Sequence, residues 1–400
     1  MVNFRIKSHE YGPIGLDIGH NSIKMIQFCI SDGKIGIAAA DKVRIDVGEP
    51  GQGGNSPDSS NADSKEIILT IKKMLANGSF RGAEAVFSLP IEKLKITSLR
   101  LRQMEIDQMD DLITSEAASR FNLNPQIDTI RYKLAGVVRQ GDETMNEYIL
   151  FGADDESIRN QIQIIEQAGL RPVGLDPFPC AIYRCFARFM RRQEDKEQAE
   201  ILVDVGSKGS TVVFGRGGDI GFVKSIPFGT VNMNQEIASR LGVNEDEAEM
   251  LRCRLLRKSR DRAVSSSDAG ANESGDDLLY EDNLDASTHQ SIVDAVSLIA
   301  ERIAKEISLC FRYYTVTFRG KRAQKATIAG GGAYENILLN VLKRYLAVDV
   351  VLAQPLSGMD MTGVKFDFDR RSTHPEWAVA TGLGLKGCEL NTTVKQAVRA

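Results

Sequence analysis

The chain has 400 residues, more than one hydrophobic core usually organises, so two or more domains are expected. Its apolar and charged fractions are those of an ordinary globular protein, and a net charge of −4 gives no reason to expect binding to nucleic acid. The six cysteines show no Cys-x-x-Cys spacing and the first ten residues do not resemble a signal peptide, which favours a cytosolic protein with reduced thiols.

The first 90 residues alternate strands and a helix. Residues 13–40 predict two strands and, after an Asp32-Gly33 hairpin turn, a third. A Gly-, Pro- and Ser-rich surface loop is expected at 48–64, and apolar spacing predicts a helix over 65–76. A buried strand is expected at 83–89.

Residues 91–174 differ from what precedes them. Their pattern is strand, helix, strand, strand and helix, at 96–101, 105–121, 129–138, 148–153 and 155–169. That order predicts a small α+β subdomain inserted into the first half of the chain.

The second half begins after a helix at 180–190 and a charged stretch that ends at residue 200. The elements predicted from there are a hairpin at 201–214, a strand at 220–227, helices at 231–241, 244–258 and 290–316, a strand at 325–329 and helices at 335–346 and 376–387. Asn244 and Glu247 predict a capping box. Residues 259–288 are expected to be a flexible insertion, and the residues after 387 a loose end.

Two strand-loop-strand segments repeat one motif. Residues 14–24 read IGLDIGHNSIK and residues 201–211 read ILVDVGSKGST, so each strand ends in Asp-x-Gly. Glycine turns let backbone N–H groups approach an anion, and the aspartates Asp17 and Asp204 can hold a hydrated Mg²⁺. A single copy is more typical of an ordinary hairpin turn that needs no ligand. The two copies together predict a nucleotide held between two related domains.

A third glycine turn, Gly330-Gly331-Gly332, follows an apolar strand and precedes a helix. A helix entry needs one glycine, so three in a row indicate that a ligand lies close to the backbone. Lys24 is compatible with a phosphate contact or with an ordinary solvated strand position. The basic run from Arg252 to Arg262 is typical of a solvated helix face. Neither a Walker P-loop nor a dinucleotide-binding fingerprint occurs.

These motifs in order resemble the PilM family of type IV pilus assembly proteins, within the actin-like ATPase superfamily. Further segments carry the resemblance, namely SIPFG at 225–229, WAVATGLG at 377–384, EAASRF at 116–121, AGLRP at 168–172 and DPF at 176–178. The resemblance implies an α/β fold, a duplicated actin-like (ribonuclease H-like) core with an inserted α+β subdomain, as in the division protein FtsA. His20 departs from the family, which usually has Ser there.

The resemblance also assigns residues to an ATP site. It implies a first phosphate loop of Asp17, Gly19, Asn21, Ser22 and Lys24, a second of Asp204, Gly206, Ser210 and Thr211, an adenosine contact at Gly330, Gly331 and Gly332, and a ribose side at Asn232 and Glu236. Mg²⁺ would be held through water by Asp17 and Asp204. Asp204 can orient a water for slow hydrolysis, if hydrolysis occurs at all.

The implied boundaries give domain 1 residues 1–90, 175–200 and 353–400, the inserted subdomain residues 91–174, and domain 2 residues 201–352. The implied role is a cytoplasmic scaffold, peripheral at the inner membrane, without a transmembrane segment of its own. It would bind the N-terminal cytoplasmic tail of the inner-membrane protein PilN and link the pilus platform to the motor proteins. Two alternatives remain at this point: an actin-fold small-molecule kinase and an FtsA-like division protein.

Overall fold

The computed structural model describes residues 10–31, 34–45, 57–102, 105–140, 143–190, 192, 194, 197–265, 284–318, 323–362, 364 and 372–399. Among these residues, no helix combines the length and apolar character needed to cross a bilayer. The predicted Asp32-Gly33 turn, the first part of the predicted loop at 48–64 and residues 266–283 of the predicted insertion lie outside the described residues.

Two five-stranded sheets repeat the same topology. The first contains β1 (Glu10–Ile18), β2 (Ser22–Ser31), β3 (Lys34–Arg44), β4 (Glu84–Phe87) and β8 (Arg171–Leu175), in the order β3-β2-β1-β4-β8. The second contains β9 (Ala199–Val205), β10 (Ser210–Arg216), β11 (Asp219–Ile226), β12 (Lys325–Ala329) and β13 (Asp349–Leu352), in the order β11-β10-β9-β12-β13. In each sheet the first three strands are antiparallel and the last two run parallel to the central strand. The duplication predicted from the motifs is therefore present.

A third, three-stranded sheet is inserted between the strands β4 and β8. It contains β5 (Lys95–Arg102), β6 (Thr129–Gln140) and β7 (Glu143–Ala153), in the order β5-β7-β6, and packs against α2 (Ile106–Phe121). The register of β7 is set by burial, because Tyr148 and Leu150 alternate toward the α2 side while Ile149 and Phe151 join the core of the main body.

The inserted part is shorter than the sequence predicted. Helix α3 (Asp155–Gln167) and all but the last residue of β8 fall within 91–174, but β8 is a strand of the first sheet and α3 packs against that sheet. Ile165 of α3 is buried in one core with Ile71 and Met74 of α1 (Pro57–Asn77), and β8 pairs in parallel with β4. The order of elements alone could not reveal this, because the assignment depends on which sheet the last strand joins.

Helices cover both faces of the main sheets. The helices not yet named are α4 (Phe178–Ala187), α5 (Thr230–Leu241), α6 (Glu245–Ser265), α7 (Ala286–Phe318), α8 (Asn336–Tyr345) and α9 (Ala378–Arg399). The face of α7 that contains Ile292, Ile299 and Ile303 is buried in the core of the second sheet. Helix α9 returns to the first sheet, where a Cβ at Gly15 of β1 would lie 2.4 Å from the backbone N of Gly384. Gly15 and Gly384 therefore let α9 pack closely against β1.

Several helices are longer than predicted. Helix α1 begins at Pro57 and not at residue 65, since proline fits the first helical position and a Gly/Ser/Asn-rich composition hid that start. Helix α6 continues to Ser265 and α7 begins at Ala286, which shortens the predicted insertion at both ends. The predicted loose end is also wrong, because α9 continues to Arg399. The capping box is confirmed, with the N–H of Glu247 donating to Asn244 Oδ1 at 2.8 Å.

Candidate functional site

A cleft of about 590 Å³ is lined by both halves of the chain. It receives the loop after β1, the loop after β9 and the turn after β12, because equivalent strands of two related sheets end at this place. Of the predicted residues, the cleft is lined by Asp17, Gly19, Asn21, Ser22, Lys24, Asp204, Gly206, Gly330, Gly331 and Gly332.

The two loops have the same turn geometry and are joined to each other. The N–H of Gly19 donates to Ser22 O at 3.0 Å, and the N–H of Gly206 donates to Gly209 O at 2.9 Å. Between the loops, the Ser207 hydroxyl lies 3.0 Å from Asn21 Oδ1 and donates to it. Asp17 and Asp204 therefore lie in one shared cleft.

Lys24 is not a solvated strand lysine. Its Nζ lies 3.1 Å from Asp17 Oδ2, and the side chains of both residues are largely buried. The two residues are directly opposite each other in the β1–β2 ladder, so this contact follows from the register of the hairpin. The pair places a cation and a carboxylate side by side at the floor of the cleft.

Asp204 is enclosed at the floor of the same cleft. Burial, and secondarily the charge of Asp17, raise the pKa of Asp204 to about 7, although Lys24 acts in the opposite direction. A carboxylate in this setting gains from a nearby cation. Among the described residues no group of three or more His, Cys, Asp or Glu is placed to hold a metal ion. Two carboxylates still fit Mg²⁺, which is usually bound through one or two carboxylates, water and substrate phosphates.

The three glycines of the turn after β12 have different roles. Gly330 has a φ of +84°, and a Cβ there would lie 2.4 Å from Val205 O. A Cβ at Gly332 would lie 2.4 Å from Val205 Cγ1. A Cβ at Gly331 meets no described atom within 4 Å, and this residue is exposed toward the cleft. Two glycines thus let the turn pack against β9, and the third leaves space for a ligand.

Four predicted residues do not line the cleft. Ser210 is buried and its hydroxyl donates to Phe228 O at 2.7 Å, while Thr211 Oγ1 is buried without a hydrogen-bond partner among the described residues. Asn232 accepts from the N–H of Gly229 at the start of α5, and Glu236 pairs with Arg240. Thr211 lies opposite Asp204 in the β9–β10 ladder, at the position equivalent to Lys24 opposite Asp17. The resemblance therefore identified the correct strand, but it did not identify which side chains of that strand reach the cleft.

Helix α6 contributes a face that the sequence reading missed. Glu249, Arg252, Cys253 and Leu256 line the cleft at the spacing of one helical face. Arg252 is buried, with Nη1 3.1 Å from Glu335 Oε2 and Nε donating to Asn234 Oδ1. The interpretation of the basic run as a solvated face is therefore wrong for Arg252. Arg252 follows the buried Ala248 by four residues, so the two side chains lie on the same face of the helix.

Further ion pairs surround the cleft. The Glu376 carboxylate accepts from Lys42 Nζ at 2.9 Å and from the Tyr334 hydroxyl at 2.6 Å. Burial acts to raise the pKa of Glu376, but the charge of Lys42 and these two hydrogen bonds hold it below its ordinary value. Burial and the nearby charge of Lys208 lower the pKa of His20, which favours the neutral imidazole.

Comparison with known proteins decides the family. The family described as "Type IV pilus assembly protein PilM" matches residues 15–255, more than half of the chain. The chain belongs to the PilM family. This assignment supports a role in type IV pilus assembly and confirms the resemblance drawn from the motifs. A search of curated proteins gave no match.

Solved structures agree on the fold of this PilM-family chain. A chain of a "PilM-PilN type IV pilus biogenesis complex" is 19% identical with a TM-score of 0.69, over 94% of this chain and 98% of the other. The ethanolamine utilization protein EutJ from Carboxydothermus hydrogenoformans is 14% identical with a TM-score of 0.51, over 94% and 89%. With the repeated sheets, these similarities confirm the predicted actin-like ATPase fold with an inserted subdomain.

Proposed function

We propose that this PilM-family protein is an ATP-binding scaffold that docks the N-terminal tail of a PilN-like inner-membrane protein. The observation that carries the nucleotide part is the shared cleft, in which two Asp-x-Gly loops, the Asp17–Lys24 pair and the open Gly331 face one space. These cleft residues suit a phosphorylated ligand, because the glycine turns present backbone N–H groups and the lysine supplies a positive charge.

Each part of the cleft has a task in this proposal. The loops that contain Gly19 and Gly206 present backbone N–H groups to the phosphates, and Lys24 neutralises phosphate charge. Asp17 and Asp204 would hold Mg²⁺ through water, and the ion would supply charge neutralisation for the phosphates. Gly331 lets the nucleoside lie against the backbone of the second half.

The proposed activity is at most slow ATP hydrolysis. Asp204 is the residue proposed to orient water near the terminal phosphate, and its pKa, raised to about 7, makes it a better proton acceptor than an ordinary aspartate. Bound ATP would instead act by favouring one arrangement of the two halves, since both halves contact it.

The PilN-docking part rests on a second, mostly apolar cavity of about 230 Å³. It lies where the first sheet meets the inserted sheet and is lined by Leu89, Leu94, Thr129, Arg131, Phe151, Gly152, Ala153, Ile158, Leu175 and Pro177. A short segment with apolar anchors fits such a groove, and the related solved complex contains PilN. Because the tail belongs to a membrane protein, docking would hold this scaffold at the inner membrane and connect it to platform and motor proteins.

The nucleotide part is tested by thermal unfolding with and without Mg·ATP. Wild-type protein should unfold at a higher temperature with the ligand, because binding to the native state alone stabilises it. Lys24→Met should lose most of that shift, while Lys325→Met, whose lysine pairs with Glu200 outside the cleft, should keep it. An unchanged unfolding temperature of the wild type at millimolar Mg·ATP would reject ATP binding.

The docking part is tested with a fluorescent peptide of the cognate PilN N-terminal tail. Leu175→Glu should weaken binding by about tenfold or more, because it places a charge in an apolar groove. The matched control is Val316→Glu, an exposed apolar position on α7 that does not line the groove. Asp204→Ala should weaken docking only when ATP is present. Equal peptide affinities with and without ATP would reject the coupling.

A further inference from the structure

The cations that line the cleft are all paired with carboxylates. Among the described residues these pairs are Lys24–Asp17, Lys42–Glu376, Arg44–Glu249, Lys208–Glu92 and Arg252–Glu335. An incoming phosphate therefore either shares a lysine or arginine with its carboxylate or displaces that carboxylate. The pairs differ in how deeply they are buried. A phosphate can displace the carboxylate most easily from the pair that is most exposed to solvent.

The Lys208–Glu92 pair is the most easily exchanged of the pairs that belong to a phosphate loop. Its atoms lie 3.3 Å apart, and the two side chains are 46% and 44% exposed. An ion pair in water contributes little, because both partners are well solvated when they separate. The Asp17–Lys24 and Arg252–Glu335 pairs are buried, so breaking either would leave a buried charge without its partner.

Lys208 is also placed where it can contact a bound phosphate. It lies in the turn that the Gly206–Gly209 hydrogen bond closes, where backbone N–H groups are available to an anion. Its partner Glu92 follows β4 of the first half, so the pair bridges the two halves across the cleft. A nucleotide whose nucleoside lies on Gly331 and whose phosphates extend toward the first half would bring its last phosphate to this side.

We propose that Lys208 is the residue that distinguishes a nucleoside triphosphate from a diphosphate in this cleft. In the ligand-free protein Lys208 pairs with Glu92. The terminal phosphate, which carries more charge and more acceptor oxygens than a carboxylate, replaces Glu92 as its partner. The exchange replaces an ion pair between the two halves with a contact between Lys208 and the ligand. This inference rests on the proposed nucleotide binding.

The experiment measures dissociation constants for ADP and for a non-hydrolysable ATP analogue, each with Mg²⁺, by calorimetry. In Lys208→Met the affinity for the ATP analogue should fall about tenfold, and that for ADP by less than about twofold. Glu92→Gln should bind the ATP analogue several-fold more tightly than wild type, because it removes the competing carboxylate. In the double variant this gain should disappear. Lys325→Met, from an exposed lysine–glutamate pair outside the cleft, should match wild type.

The outcomes separate this inference from the function on which it rests. Wild-type protein that binds neither nucleotide would overturn both. Wild-type protein that binds both nucleotides, with the same ratio of affinities in Lys208→Met, would overturn the role of Lys208 and leave nucleotide binding intact. A gain in Glu92→Gln that persists in the double variant would also overturn it, since the gain would then not act through Lys208.

Discussion

Asp204 carries an electrostatic cost in the ligand-free cleft. Its pKa is raised because burial removes water from the carboxylate and Asp17 adds a second negative charge nearby. A group with a raised native pKa binds its proton more tightly in the folded protein than in the unfolded chain. Its contribution to stability is therefore complete at low pH and is lost as the pH rises toward about 7. The site is destabilised without a cation, as is common where a ligand supplies the missing charge.

Asp204→Asn should therefore stabilise the ligand-free protein at pH 8 and do so distinctly less near pH 5, since the cost of the charged form grows between about pH 4 and about pH 7. We expect a gain of about 1–3 kcal/mol at pH 8, which corresponds to a pKa difference of a few units reduced for residual solvent contact. Denaturant unfolding at the two pH values measures it. Asp349→Asn, at an exposed position of β13, is the control. Equal effects of Asp204→Asn at both pH values would contradict the buried-carboxylate account.

In the turn after β12, different glycines serve folding and ligand binding. Gly330 requires a left-handed backbone and, with Gly332, contact with Val205. Gly331 has open space in front of its Cα. The same substitution at neighbouring positions of one turn therefore separates the two roles.

Gly330→Ala should destabilise the protein by about 2 kcal/mol or more, because its Cβ meets the β9 backbone at a positive φ. Gly331→Ala should leave the unfolding temperature nearly unchanged and weaken ATP binding, because its methyl group enters the cleft. Thermal unfolding and nucleotide titration of the two variants decide this. If Gly331→Ala binds ATP like wild type, the ligand does not lie against this turn.

The sequence predicted correctly those features that depend on a few neighbouring residues, and it failed for those that depend on long-range pairing. The Asp-x-Gly loops, the capping box and the glycine turn were predicted correctly as elements because each is specified by a few neighbouring residues. The placement of α3 and β8 on the first sheet was not predictable, since it depends on pairing with β4. Ser210 and Thr211 were placed in the loop by resemblance, but the strand turns both side chains into the protein interior.

At the scale of the whole molecule, a polar cluster fastens the inserted sheet to the second half. Glu147 is buried and accepts hydrogen bonds from Arg100 at 2.5 Å and from the Tyr313 hydroxyl of α7 at 2.8 Å. Arg100 also donates to Tyr313 and to Thr317. Motion of the second half relative to the first would therefore be transmitted to the sheet that forms one wall of the proposed PilN groove.

Tyr313→Phe should loosen this connection without creating a large cavity. Loss of the hydroxyl leaves a buried Glu147 oxygen with fewer donors, so we expect a loss of about 1–2 kcal/mol in stability. Hydrogen exchange should become faster in β5 and β7, and the effect of ATP on peptide docking should decrease. Tyr345→Phe, at an exposed tyrosine of α8, is the control. If hydrogen exchange in the inserted sheet is unchanged, the cluster does not restrain it.

The central claim is that both Asp-x-Gly loops hold one nucleotide. Calorimetric titration of the full chain with a non-hydrolysable Mg·ATP analogue tests it most directly, in wild type, Asp17→Ala and Asp204→Ala. The account predicts one nucleotide per chain in the wild type and a loss of Mg²⁺-dependent affinity in each variant, since one carboxylate from each half faces the cleft. Binding that survives unchanged in either variant, or two independent nucleotides per chain, would contradict it.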